Sequence, residues 1–453
     1  MPAPPFLDRR RPLSRWTYLA IALPLVLSQH LLVALAFGGE GMPGLRSPEF
    51  WAFPFRALTS HPNLSPIAAA LAFAFALGIA WALAELSFRR CVGGWTADMA
   101  ALALLPPLQI PLVLLLALLP APLGGADIDD ADERDSVQSA HHAVQGVLAG
   151  AAIIVFAVLV SAVTFGAYGW GLFVLTPFTM GLTTAYIANR RHPLPKGHTL
   201  PLVLGAAALG SFALILFALE GLFCILLAAP LGAAVAALGG ALGRAAALAG
   251  HRRGRPFLAV GLLPAIFALE AAMPPEAVIR TAESIEIAAP AGQVWAALTS
   301  SEPIAAPPGW VGRAGLAYAL GGRIVEPAVG GDREGRFSTG VAHERITAWQ
   351  PGRRLAFALV SQPPAMEEMS PYRRVHAPHV QGYFDTGETR FDLAALPGGR
   401  TRLTITASHV LRLDPVLYWQ PLARWAIRSN ARRVLGDIRN RAEAASARLA
   451  RRG

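Results

Sequence analysis

From Thr17 to Phe37 the chain reads TYLAIALPLVLSQHLLVALAF, with no Asp, Glu, Lys or Arg. At about 1.5 Å per residue such a run crosses a hydrocarbon core of about 30 Å, where a helix satisfies its own backbone polar groups. The pattern recurs near 67–87, 99–119, 143–163, 168–188, 200–219, 221–241 and 257–274. The expectation for residues 1–275 is therefore an all-α polytopic bundle of about eight spans. In the third segment Pro106, Pro107 and Pro111 each remove a backbone donor that lipid cannot replace, so a kink or a re-entrant turn competes with a full crossing. The sixth and seventh segments meet at Glu220-Gly221, a tight turn.

Composition agrees with a bilayer as solvent. The chain is 54% hydrophobic and 15% charged, with a mean hydropathy of +0.44 and a net charge of +10. A disordered polyelectrolyte has far less apolar content, and a nucleic-acid-binding domain carries its basic residues on a water-soluble body. The expected partner is a membrane rather than a nucleic acid, and the expected location is the bacterial cytoplasmic membrane. No small-residue cleavage site follows the first apolar run, which reads as an anchor. Cys91 and Cys224 are too few and too far apart for a disulfide framework or a zinc site.

Positive charge in short loops favours the cytoplasmic side. Arg9, Arg10, Arg11 and Arg15 place the N-terminus there, with Arg89 and Arg90 after the second span, and the acidic loop 124–136 falls outside. Strict alternation then sends Arg190, Arg191 and Lys196, and Arg244, Arg252, Arg253 and Arg255, outside, against the rule. They return inside if 99–119 does not cross, so the side faced by the C-terminal region stays open. Glu85, Asp98, Glu220 and Glu270 fall near span ends, where they can anchor at the interface, whereas His30 sits deeper as a hydrogen-bonded histidine between helices. There is no Walker motif and no inverted pair of Gly/Pro-broken helices.

At Pro274-Pro275 the character changes. Sixteen basic residues face thirteen acids in residues 1–275, and twenty-three arginines face sixteen acids in residues 276–453. IRTAESIEIAAP alternates apolar and polar positions as a half-buried strand does, and PAGQVWAALTS puts Val294, Trp295 and Leu298 on one helical face behind Pro290. Strands are expected near 314–327, 333–350, 353–361, 388–396 and 400–412, with turns at Gly330-Gly331, Pro351-Gly352 and Pro397-Gly398-Gly399. Asp414 and Pro415 open a long closing helix on which Leu422, Trp425, Leu435, Ile438, Ala442 and Leu449 recur at helical spacing. Its last thirty residues hold nine arginines against Asp437 and Glu443, a basic face suited to anionic headgroups or simply to water.

This order, with IEIAAPAGQVWAALTS, GGDREGRFSTG, the hairpin LPGGRTRLTIT and the closing helix, resembles the START-like or SRPBCC superfamily (polyketide cyclase/dehydrase, Bet v 1-like helix-grip) over about residues 279–449. The resemblance implies an α+β helix-grip domain at 276–453, a curved antiparallel sheet around the terminal helix. It also implies an apolar cavity between the strands and the face of Leu422 and Trp425, with Tyr318 and Arg336 as further ligand contacts. Arg336 and Arg333 either bond acids such as Asp332 and Glu334 or point into that cavity. Residues 362–387 form a long insertion, read as a lid, whose Tyr372, His376, His379 and Tyr383 would meet a ligand.

His376 and His379 could instead ligate a metal or bond within the lid. Pro378 disfavours the helical turn that would join them, and only His343, His409 or Asp385 could complete a zinc site, so no metal and no cofactor is expected. Neither half shows a nucleophile elbow, a Ser-His-acid spacing or a glycine-rich nucleotide loop, which leaves catalytic residues unassigned and favours a binding module. The leading expectation is a START-like domain that binds a hydrophobic ligand, lipid or isoprenoid-like, at the membrane surface. Two alternatives stand beside it: a cyclase/dehydrase-type enzyme with His376, His379 or Tyr372 as acid–base groups, and a transport region regulated by the soluble domain. The oligomeric state is not legible.

Overall fold

The computed structural model describes residues 13–37, 47–60, 66–91, 102–103, 106–119, 136–191, 193–195, 197–217, 219–249, 257–368 and 381–450. These divide into two compact units between Pro274 and Pro275.

The first unit is helical: α1 (Arg15–Ala36), α2 (Pro48–Ala52), α3 (Pro66–Cys91), α4 (Pro106–Leu118), α5 (Ser136–Val158), α6 (Thr176–Asn189), α7 (Thr199–Leu216), α8 (Leu222–Leu248) and α9 (Phe257–Ala272). Single π-helical stretches, Leu159–Phe165 and Gly171–Leu175, carry α5 and α6 to a reversal at residues 166–170. Five runs are long and apolar enough to cross a membrane: Arg15–Ala36, His142–Phe165, Gly171–Asn189, Thr199–Leu216 and Leu222–Leu248. Of the other three expected spans, the second lies within α3 (Pro66–Cys91), and the third and eighth hold shorter apolar helices, Pro106–Leu118 and Val260–Ala272. The third is shorter because its helix begins only at Pro106, with Pro111 inside it.

Close approach holds this bundle together. A Cβ at Gly181 would lie 2.1 Å from the Ala236 carbonyl oxygen, one at Gly239 2.1 Å from that of Phe178, and one at Gly243 2.2 Å from that of Leu182. Gly239 and Gly243 are four residues apart, so α6 and α8 meet backbone to backbone along a small-residue seam. Glu220 and Glu270 are buried at the reversal. The Tyr168 hydroxyl donates to Glu220 Oε1 at 2.9 Å, and the Gly171 N–H donates to Glu270 Oε1 at 2.9 Å. Both acids are thus consumed in fixing the turn between two spans. Farther along α6, the Arg244 guanidinium donates to Asn189 Oδ1 (2.7 Å), Thr199 Oγ1 (2.8 Å) and the Leu194 carbonyl (2.8 Å).

The second unit is a seven-stranded, wholly antiparallel curved half-barrel. Its strands are β1 (Ala277–Ile287), β2 (Ala319–Ile324), β3 (Asp332–Phe337), β4 (Gly340–Gln350), β5 (Arg354–Ser361), β6 (Phe384–Leu396) and β7 (Arg400–Leu411), in the order β1-β7-β6-β5-β4-β3-β2. Helices α10 (Ala291–Leu298) and α11 (Trp310–Arg313) follow β1, and α12 (Val416–Ala450) closes the chain. The expected strand 333–350 is a hairpin. Phe337 pairs with Gly340 across Ser338-Thr339, and Gly340 adopts φ +145°, a conformation that a side chain would strain. The expected strand 314–327 contracts to β2, because residues 315–317 instead bond the start of the insertion.

Apolar packing fills one end of this unit. Leu435, Ile438 and Ala442 of α12 pack with Ala431 against Ile287, Ile346, Leu355, Phe357, Phe391, Leu403 and Ile405. At roughly 25 cal/mol per Å² of buried apolar surface, this cluster is the main stabiliser of the unit. The cluster involves the second half of α12. Facing its first half, the sheet carries different chemistry.

Candidate functional site

Strand alternation defines the concave face. On β7 the residues Thr401, Leu403, Ile405, Ala407, His409 and Leu411 share one side, and Leu403 and Ile405 pack with α12. On β4 the equivalent set is Ala342, Glu344 and Ile346, and on β5 it is Leu355, Phe357 and Leu359. The end of β5, the start of β6, the end of β7 and the start of α12 all meet at the end opposite the apolar cluster.

A buried ion pair borders the cluster beside Phe357. Glu344 is 3% exposed and pairs with Arg333, directly opposite it on β3, whose guanidinium lies 4.1 Å over the ring of Phe357. Burial pushes the Glu344 carboxyl above its ordinary range, and the Arg333 charge works against that. Two glycines make the room. A Cβ at Gly322 would lie 2.2 Å from Arg333 Nη2, and one at Gly335 2.8 Å from Glu344 Oε1. Across the concavity, the ring of His409 stacks on Phe384 at 5.1 Å and 27°. Burial pulls this imidazole down to about 4, so it is neutral near pH 7.

The insertion is clamped at both ends. The Gln362 amide donates to the Phe384 carbonyl at 2.7 Å and accepts from the Thr386 N–H at 3.0 Å. Arg412 pairs with Asp385 and, at 3.2 Å, with Glu276, while its N–H donates to the Tyr383 carbonyl at 2.8 Å. The first limb lies against residues 315–317, where Gly315 is obligatory: it adopts φ +120°, and a Cβ there would stand 2.2 Å from the Glu367 carbonyl oxygen.

The residues singled out from sequence fall into three groups. Tyr372, His376 and His379 lie outside the described residues. Tyr383 is half-buried at the foot of the insertion, where burial raises its phenol, and Leu422 is half-buried on α12. The remaining three are spread over the surface. Tyr318 stands under the Arg433 guanidinium at 5.1 Å, near the free edge of the sheet. Arg336 alternates to the convex side and donates to the Ser301 carbonyl at 2.8 Å. Trp425 is 45% exposed and stacks on Trp310 at 5.4 Å. Glu344 was missed; its signal was the register that sets it against Arg333 beyond a two-residue turn. Among the described residues no group of three or more His, Cys, Asp or Glu is placed to hold a metal ion.

No protein-family model matches the chain, and no curated protein does. Solved structures align with a little over a third of it. They include the ZhuI aromatase/cyclase from Streptomyces sp. R1128, at 15% identity over 37% of this chain and 94% of that one, with a TM-score of 0.26. A protein from Mesorhizobium loti aligns at 16% identity over 35% and 96% (TM-score 0.22). The Aha1 dimer from Colwellia psychrerythraea aligns at 15% over 36% and 96% (TM-score 0.22). Similarity at this level says nothing of ligand or activity. The helix-grip architecture of the second unit rests on its own strand order and terminal helix.

Proposed function

We propose that this chain is an integral membrane protein whose second unit binds a hydrophobic molecule, lipid or isoprenoid-like, in the end of the half-barrel that faces the first half of α12. The observation that carries the reading is the division of the concave face. Its apolar cluster meets α12 from Ala431 onward, and beyond it the face carries the Arg333–Glu344 pair beside Phe357 and the stacked rings of His409 and Phe384, a mix of apolar and polar groups as in ligand pockets. The membrane half supports the reading, because five helices of spanning length keep the chain where apolar molecules are concentrated. On this reading α3, α4 and α9 complete eight crossings together with those five.

Native mass spectrometry of the full-length protein, exposed to membrane lipid extract and released from detergent, tests this. Leu359 is half-buried, opposite Glu344 on the concave face, so Leu359→Trp fills the proposed space. A single stoichiometric adduct that disappears in Leu359→Trp is expected. No adduct, or one indifferent to the substitution, would overturn the reading.

A further inference from the structure

The buried polar atoms of the second unit that lack a hydrogen-bond partner among the described residues include Nδ1 of His409 and Nε2 of Gln420. His409 is 7% exposed and Gln420 2%. Orphans of this kind are uncommon in folded interiors, since each gives up its water with nothing in return, and each needs an explanation.

Their placement supplies one. His409 lies on the side of β7 that faces α12, and the stacked ring of Phe384 fixes its plane. Gln420 precedes Ala431 of the apolar cluster by three helical turns, so the two share the sheet-facing side of α12. Both therefore belong to the end of the concave face that the apolar cluster leaves unfilled. Most charges at this end are already paired. Arg333 pairs with Glu344, Glu283 with Arg428 and Arg432, and Arg412 with Asp385 and Glu276. Arg424, half-buried on the first half of α12, has no acidic partner among the described residues.

We propose that His409 and Gln420 are polar contacts of the ligand site, and that the ligand is an apolar molecule bearing hydroxyl groups. A hydroxyl accepts from the Gln420 amide, and it donates to or accepts from the imidazole according to tautomer, so the same kind of functional group suits each orphan. A pure hydrocarbon leaves both unmet. The inference rests on the ligand-binding reading above and narrows the class of molecule.

The test uses full-length protein in lipid nanodiscs and two photoreactive probes with the same long diazirine-bearing alkyl chain, one ending in a hydroxyl and one in a methyl group. Labelling of β6 and β7 peptides is quantified by mass spectrometry against labelling of α1, which reports the probe's concentration in the bilayer. The alcohol is expected to label β6 and β7 about tenfold more than the alkane, and the preference is expected to vanish in His409→Phe and in Gln420→Leu. His409→Gln, which keeps a hydrogen-bonding group, is expected to retain part of it. The wild-type comparison depends on no variant. Equal labelling by the two probes, or a preference that survives both apolar substitutions, would overturn the hydroxyl assignment while leaving the binding reading intact. Failure of both probes to label the second unit would overturn the reading beneath it.

Discussion

Glu344 and His409 respond to the same burial with opposite consequences. Glu344→Gln leaves Arg333 without its counter-charge in a largely buried setting, which is expected to destabilise the second unit by about 3 kcal/mol. Denaturant titration followed by Trp295 and Trp349, an edge-to-face pair at 5.0 Å packed against the apolar cluster, reads this directly. The imidazole of His409 lies at about 4 when folded, against 6.5 when free. Between those values the unfolded chain binds the additional proton, so the stability from a neutral His409 is complete above about pH 6.5. It falls through the window and is gone near pH 4, a loss of about 3 kcal/mol at most. His409→Phe is expected to flatten this acid limb; unfolding midpoints of both proteins at several pH values check it, and parallel curves would refute it. The two residues also mark the limit of what the sequence disclosed. His409 drew notice only as a third zinc ligand and Glu344 drew none, because burial and cross-strand register are properties of the folded sheet.

Elements were more legible than their partners. Helical spacing identified the sheet-facing side of α12, since Leu435, Ile438 and Ala442 are all buried; it also selected Trp425 and Leu449, which are exposed because packing differs along the helix. Alternation located the strands but ran unbroken through the Ser338-Thr339 turn, where only Gly340 departs from the pattern. The seam between α6 and α8 was invisible, because a glycine shows close approach only once its neighbour is known. Its consequence is testable. Gly239→Val places a branched side chain where even a Cβ would stand 2.1 Å from a backbone oxygen, so the two helices must separate. A drop of several degrees in the melting temperature of nanodisc-embedded protein is expected, whereas Gly261→Val, where a Cβ meets nothing within 4 Å, should leave it nearly unchanged.

At the scale of the whole chain, the net charge of +10 is less available to a partner than its count suggests. On α12, Arg428 and Arg432 are held by Glu283 and Arg441 by Asp437, while Arg433 donates to the carbonyls of Ala306 and Ala319. Much of the basic face is therefore spent on holding the terminal helix to its sheet. The chain is also two proteins in its energetics, because the units have separate apolar clusters, one around Met180, Val203 and Ala236 and the other around Leu403, Leu435 and Ile438. Substitutions that share no partner act additively, so a cavity in one cluster should not register in the other. Leu435→Ala removes a side chain that is 2% exposed, and it is expected to destabilise the second unit by about 3 kcal/mol. Calorimetry of the full-length protein should then resolve two transitions, Leu435→Ala lowering one and Gly239→Val the other, with the double variant showing both shifts unchanged. A single transition moved by either substitution would mean that the two units unfold as one, with the stability of the half-barrel coupled to the packing of α6 against α8.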